Sequence, residues 1–515
     1  MPGPYPSSLS PQRRWDGWLL GLLVLPFLGI WAAPLFDLDE GAFTAATLEM
    51  FLRGDFLTIE LMGAPRTDKP ILSYWLQAAS VAAFGFHEWG WRLPSALAAA
   101  VWIGLTYAFV ARVLDRERAR LAALIIACAV GPAMIQRAAT ADALLNLWLA
   151  AAGYAAWLWL KEGRALWHYA GHAAMALGFL TKGPVAVVVP ATAVLLWCLS
   201  RREPARFLRW ALAPGPLALS AALALPWFVA VSLRDGGTFV AGFLFKHNVG
   251  RFGGAMEGHG GPLWYYLPVL ILSLLPFSGL LPALAARLRG LWRDELMRYG
   301  LIWFALVFAL FSLSGTKLPH YLYYGYGGLV LALAQVGVEV RSRGLLFLPG
   351  VLLALILLTL PELLGQVLPR LKPDDQALLA DYPAAFGAVY RAWFAAALLL
   401  GLILLAQPRR GWMPGLYAQA VVLVLGFALL TLPAAGWLQQ GPVREAGRLA
   451  ARLDGPLVLH GVNVPSFQTY AGRVVSRRPP RPGDLVLTRT SRLPEINGAE
   501  LLWRSRGYAL VRVRG

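Results

Sequence analysis

The chain has 515 residues, 58% of them hydrophobic and 14% charged, with a formal net charge of +18. The apolar excess is more than the core of a soluble domain uses, and it falls in runs of roughly 17–25 residues, the length that crosses a bilayer as a helix. The positive charge lies mostly in short loops between those runs, with no basic patch interleaved with aromatics, which excludes a nucleic-acid partner.

These features predict an all-α polytopic membrane protein of about thirteen transmembrane helices, with interfacial helices on the outer face and a small C-terminal α/β domain. The clearest apolar runs are residues 17–36, 93–111 and 262–285. Arg13 and Arg14 precede the first run, which reads as a retained helix with a cytoplasmic N-terminus rather than a cleaved signal. Residues 37–90 then form a long outer segment. Phe43, Ala46, Met50 and Phe51 recur there at helical spacing, and Gly54 is placed to end that helix. A second helix is predicted from Pro70, through Tyr74 and Trp75, to about Phe84. Both are short for a span and are expected to lie along the interface, beside Trp89 and Trp91 as belt residues.

Basic loops follow at every second connection: Arg112 to Arg120, Lys161 to Arg164, Arg201 to Arg209, Arg287 to Arg298, Arg341 to Arg343, and Arg409 with Arg410. This parity leaves the chain after about residue 436 outside. The division is therefore a membrane domain, 1–435, and a small extracytoplasmic domain, 436–515. In the latter, strand-length runs occur at Leu457–Leu459, Leu485–Leu487, Leu501–Trp503 and Tyr508–Val513, with a helical pattern between Pro442 and Asp454. Cys128 and Cys198 both fall in apolar runs and give neither metal spacing nor a disulfide framework.

Lysine is scarce, and Lys69, Lys182, Lys246 and Lys317 fall on the predicted outer side, against the usual charge bias. Each sits in a polar cluster at a helix end: Thr67-Asp68-Lys69-Pro70, Thr181-Lys182-Gly183-Pro184, Lys246-His247-Asn248 and Gly315-Thr316-Lys317-Leu318-Pro319. Such ends suit an anionic head group, although any one lysine is read equally well as a snorkelling or capping residue. Asp37, Asp39 and Glu40 directly follow the first helix, and Asp142 begins a later one on the same face. A carboxylate there can take a proton from a hydroxyl; Asp39 and Asp142 are also candidate helix caps, and the two roles are compatible. No cofactor motif is visible. His247 and His259 share one outer loop and, with Asp68, form a candidate divalent-metal set, against the alternative of ordinary hydrogen-bonded histidines.

In this order the clusters resemble the 4-amino-4-deoxy-L-arabinose lipid A transferases and, more broadly, the GT-C membrane glycosyltransferases that include protein O-mannosyltransferases. The resemblance covers roughly residues 15–335. It is carried by Asp39-Glu40-Gly41, Arg53-Gly54-Asp55, Asp68-Lys69-Pro70 before Tyr74-Trp75, Arg92-Leu93-Pro94, Thr181-Lys182-Gly183-Pro184, and His247-Asn248-Val249-Gly250-Arg251-Phe252. Pro262-Leu263-Trp264-Tyr265-Tyr266 and Lys317-Leu318-Pro319-His320-Tyr321 complete it. It implies an inverting glycosyltransferase of the inner (plasma) membrane, moving a sugar from a polyprenyl-phosphate donor to a lipid A, glycan or protein hydroxyl. It further implies Asp39 as the catalytic carboxylate, with Lys69, Arg251 and Tyr321 near the lipid phosphate. The residues themselves add Glu40 and Asp142 to the catalytic candidates, Glu40 as one that orients the sugar or supports the loop and Asp142 as the next candidate base, and add Lys182 and Lys317 to the phosphate and lipid candidates. The chain departs from the family where Asp-Glu-Ala-Arg-Tyr is usual and Asp39-Glu40-Gly41-Ala42-Phe43 stands, and where Glu-Lys-Pro is usual and Asp68-Lys69-Pro70 stands.

Two other classes compete. A transporter or flippase of lipid-linked sugars wants inverted repeats and midplane charges, whereas here the charges gather at one face and no repeat is visible. A non-catalytic scaffold displaying the tail domain does not need the Asp and Lys constellation.

Overall fold

A computed structural model describes residues 16–244, 250, 260–407 and 411–514. Among these, seven helices are long and apolar enough to cross a membrane: Glu88–Val113, Asp142–Glu162, Pro214–Asp235, Glu295–Leu313, Arg343–Arg370, Ala388–Ala406 and Trp412–Ala450. Shorter apolar helices at Gly17–Phe27, Val185–Ser200 and Leu263–Ser273 accompany them. The chain is a multi-pass membrane protein with the expected fold, although the count of thirteen spans is not reached on length and composition alone. Asp142–Glu162 is the central helix, with 83% of its apolar window buried inside the protein, against 22% for the peripheral Pro214–Asp235. Small residues let neighbours close on the central helix. A Cβ at Gly153 would lie 2.4 Å from the Trp303 ring, and Tyr154 stacks on Phe109 at 4.2 Å.

The expected single helices break where the backbone must. The run 262–285 is a 3₁₀ turn, a helix Tyr266–Ser273 and a further helix Leu280–Leu291. Pro276 has no N–H to donate to the Leu272 carbonyl, which accepts from the Leu275 amide at 3.2 Å instead. The first apolar run likewise ends its helix at Val24 and passes through a 3₁₀ turn, Leu25–Phe27, before the outer segment.

Both helices expected in the first outer segment are present. The first is Asp39–Arg53, closed by Gly54 in the left-handed conformation at φ 65°. The second is Leu72–Phe84, two residues later than the proline that suggested its start. Between them Glu60–Leu61 and Ala64–Pro65 pair as a short hairpin. The Arg53-Gly54-Asp55 turn holds it. Arg53 donates to Thr58 Oγ1 at 3.0 Å and Glu60 at 3.1 Å, and Asp55 accepts from the Leu57 amide at 2.8 Å. Glu49 accepts from the amides of Met62 and Gly63. This small frame presents residues 66–70.

The last long helix runs unbroken from the membrane body into the C-terminal domain, through a π-helical turn at Phe427–Thr431, so the division at 435/436 falls inside one continuous rod. Beyond it the four expected strands form, plus Val475–Ser476. The sheet order is Val475–Ser476, Leu457–His460, Leu485–Arg489, Tyr508–Val513, Ala499–Ser505, with the first three parallel and the last two antiparallel to their neighbours. Its core, around Val443, Phe467, Leu487 and Leu510, packs the sheet on Leu432–Ala450 and on the short helix Ser466–Ala471.

Candidate active site

The helices Asp39–Arg53 and Leu72–Phe84 and the loops facing them bring together two polar groups. The first stands on the 37–74 segment. Arg66 grips Asp68 with two donors, Nε to Oδ1 at 2.6 Å and an Nη to Oδ2 at 3.2 Å. Lys69 Nζ donates to the Asp68 carbonyl at 3.1 Å and to its carboxylate at 3.2 Å. Burial raises the Asp68 carboxyl, but Arg66 and then Lys69 outweigh it and hold the group well below the usual carboxylate range. The guanidinium of Arg66 lies over the Phe43 ring, 5.1 Å from its centre, and Phe43 stacks on Tyr74 at 5.2 Å. Both the Tyr74 hydroxyl and one Arg66 nitrogen are buried without a hydrogen-bond partner among the described residues.

The second group is the opposite wall. Asp142, buried at the start of its helix, pairs with Lys182, accepts from Tyr324 Oη at 3.1 Å and from Thr140 Oγ1 at 3.3 Å, and lies 3.7 Å from His320. The Lys182 ammonium sits over the rings of Tyr321 and Tyr324. Lys317 is buried and donates to the Ser314 carbonyl at 2.6 Å. Burial lowers the His320 imidazole to about 4, against the pull of Asp142 and with the push of Lys182. His320 also feels Asp39 and Lys69 across the gap, so the two groups face one another.

The acids that follow the first helix have different surroundings. Glu40 is buried 2.7 Å from Arg92 through each oxygen and also accepts from the amides of Phe36 at 2.8 Å and Ala139 at 2.7 Å. Both of its oxygens are engaged, which ties it to Arg92 and to the loops at Phe36 and Ala139. Asp39 is exposed and makes no hydrogen bond or ion pair with any described residue. Neither Asp39 nor Asp142 caps its helix; both stand at the first helical position, behind Leu38 and Ala141, with no side-chain cap bond.

Of the candidate residues, Asp39, Lys69, Asp68, Asp142, Lys182 and Tyr321 therefore share one region, with Lys317 three residues before His320 in the same connection. Arg251, His247 and His259 lie outside the described residues. Among the described residues no group of three or more His, Cys, Asp or Glu is arranged to hold a metal ion, and the Asp68 carboxylate is already engaged by Arg66 and Lys69. Sequence reasoning missed Arg66, His320 and Tyr324 as members of the site. Arg66 carried the same signal as the lysines, a cation on the outer side, but was hidden among forty arginines.

The profile of the dolichyl-phosphate-mannose-protein mannosyltransferase family matches residues 68–232. The chain is 32% identical over 439 residues to the undecaprenyl phosphate-alpha-4-amino-4-deoxy-L-arabinose arabinosyl transferase of Pseudomonas aeruginosa (strain UCBPP-PA14), covering 80% of this chain and 75% of that one. It is 30% identical to the arabinosyl transferase 1 of Pseudomonas fluorescens (strain Pf0-1) and 32% to the transferase of Aeromonas salmonicida (strain A449), spanning 57% and 61% of their lengths. The crystal structure of ArnT from Cupriavidus metallidurans bound to undecaprenyl phosphate superposes with a TM-score of 0.82 at 21% identity, over 97% of this chain and 98% of that one.

Proposed function

From the premise that the chain belongs to the undecaprenyl phosphate-alpha-4-amino-4-deoxy-L-arabinose arabinosyl transferase family, we propose that it is an inverting glycosyltransferase working at the outer face of the inner membrane. The donor is a polyprenyl-phosphate sugar and the acceptor a hydroxyl of lipid A, an envelope glycan or a protein. The N-terminus is cytoplasmic, and residues 436–515 form the outer domain. One observation carries this reading: Asp39 is exposed and unpartnered, in a gap whose two walls carry the cations Lys69 and Lys182, which suit a phosphate.

In this reaction Asp39 takes the proton of the acceptor hydroxyl. The freed oxygen forms a bond to the anomeric carbon from one side while the carbon–phosphate oxygen bond breaks on the other, and the polyprenyl phosphate leaves with the electron pair. Lys69 and Lys317, with Arg251 and the Tyr321 hydroxyl, stabilise the charge that develops on that phosphate. Asp142 holds Lys182 and the 320–324 turn in place. His320 is neutral at ordinary pH and available as a hydrogen-bond partner rather than as a charge.

The test is transfer of label from a radiolabelled undecaprenyl-phosphate sugar by the purified protein in lipid. Transfer to an envelope acceptor is the expected result. Tight donor binding with no turnover by an intact protein would overturn it.

A further inference from the structure

The acids at 37, 39 and 40 lie within one turn, and the outer two are fixed to different parts of the molecule. Glu40 is locked to Arg92 on the membrane side. Asp37 is locked to the C-terminal domain: its Oδ1 accepts the Ser466 amide at 2.9 Å and its Oδ2 the Ser466 hydroxyl at 2.5 Å, across 429 residues of sequence. Ser466 itself is fully buried. The fit is close enough to require glycine at the next turn, because a Cβ on Gly41 would lie 1.9 Å from Asp37 Oδ1 and 2.6 Å from the Ser466 nitrogen.

The rest of helix Ser466–Ala471 continues the grip along Asp39–Arg53. Thr469 and Thr44 hydroxyls meet at 2.9 Å, Gln468 Nε2 donates to Glu49 at 2.6 Å, and the Tyr470 hydroxyl accepts from the Leu35 amide at 2.7 Å. Asp39 is thus a free side chain on a backbone pinned two residues before and one residue after.

We propose that Ser466 is a positioning residue of the active site: by fixing Asp37 it sets the backbone from which Asp39 reaches the acceptor hydroxyl. The proposal rests on the reading of Asp39 as the base. Displacement of a reacting group by about 1 Å can cost roughly 10²-fold in rate, so a pinned backbone is worth that much to turnover without touching substrate.

The contact is also tuned by protonation. Burial raises the Asp37 carboxyl to about 7 against the two Ser466 hydrogen bonds; Glu40 pushes the same way, Arg477 opposes, and Tyr508 on the sheet is close enough to feel its charge. Since this value lies above the ordinary 3.8, the docked state binds the proton more tightly than the free one. Its contribution is full below about pH 4 and is lost as pH rises through about 7. An amide at position 37 keeps both contacts, with its oxygen accepting the Ser466 amide and its nitrogen donating to the hydroxyl, and removes the titration.

The test uses the full chain in lipid. Hydrogen exchange of amides 36–44 and binding of undecaprenyl phosphate are read directly. Turnover is read with the donor that supports label transfer by the unaltered protein, undecaprenyl phosphate-4-amino-4-deoxy-L-arabinose being tried first. Ser466→Ala is expected to speed exchange in 36–44, leave undecaprenyl phosphate binding within about twofold and lower kcat by roughly tenfold or more, the scale of a lost hydrogen bond to a charged group. Ser466→Thr restores most of the rate. Gly41→Ala gives the same signature as Ser466→Ala from the other side of the contact. Unchanged exchange, or faster exchange with unchanged kcat, overturns the proposal. Activity of Asp39→Asn would instead remove the base assignment while leaving the exchange result standing, so the two failures are distinct.

Discussion

Two walls of one gap hold their carboxylates in opposite ways. On the 37–74 side Asp39 is exposed and unpartnered. On the facing side Asp142 is buried among Lys182, Tyr324, Thr140 and His320. A carboxylate with free lone pairs can accept a proton from an incoming hydroxyl, whereas one with its lone pairs filled can only hold its donors in place. The difference separates an acid free to act as the proposed base from one that holds its neighbours in place, and four measurements press on it.

The largest effect is expected for Asp39→Asn, which keeps the size and removes the base. Turnover should fall by about 10²–10⁴-fold while undecaprenyl phosphate still binds. A rate close to that of the unaltered protein would move the base to the other wall. Next, Arg92→Leu strands Glu40 as a buried unpaired acid under the first outer helix. Thermal unfolding in detergent should show a loss of about 3–5 kcal/mol, the cost of breaking a buried pair; a small shift would mean Glu40 is not the anchor its contacts indicate.

Lys69→Ala removes one charge-assisted phosphate contact, worth about 1.5–3 kcal/mol, so donor use should weaken by roughly one to two orders of magnitude in steady-state kinetics. The smallest effect is expected for Asp37→Asn, whose turnover at neutral pH should stay within about threefold because both Ser466 contacts survive. The pH–rate profiles of these two variants sharpen the contrast further. Burial keeps His320 neutral down to about 4, while Asp37 is raised to about 7, so the part of the profile that comes from Asp37 lies near neutral pH and should flatten in Asp37→Asn.

Much of this was legible in the sequence because it followed local rules. The 3.6-residue spacing of Phe43, Ala46 and Met50 with Gly54 behind it marked the first outer helix. Charges placed against the topological bias marked Lys69, Lys182 and Lys317. Strand-length apolar runs marked four of the five strands in the C-terminal sheet. What stayed hidden depended on distance along the chain. Nothing near Glu40 announces that Arg92 will fill both of its oxygens, and nothing near Asp37 announces Ser466. Side-chain saturation is set by tertiary packing, so the motif singled out Asp39 among three neighbouring acids but left the partners of Asp37 and Glu40 unseen. Pro276 is the reverse case, a local signal whose consequence, a split helix in the run 262–285, was masked by uniform hydropathy.

The pairing of Asp37 with Ser466 also has a consequence in time. The outer segment that carries Asp39 emerges early in synthesis, and the helix that pins it is made 429 residues later. Along the way the first apolar helix must wait for its partner too, since Trp18 packs edge-on against Tyr417 at 4.4 Å and its carbonyl accepts from that tyrosine. The first and last segments of the chain are therefore laced together at both ends of one long rod. A nascent chain can carry Asp37 and Lys69 into place and still lack the Ser466 contact, which forms only when translation has delivered the C-terminal domain.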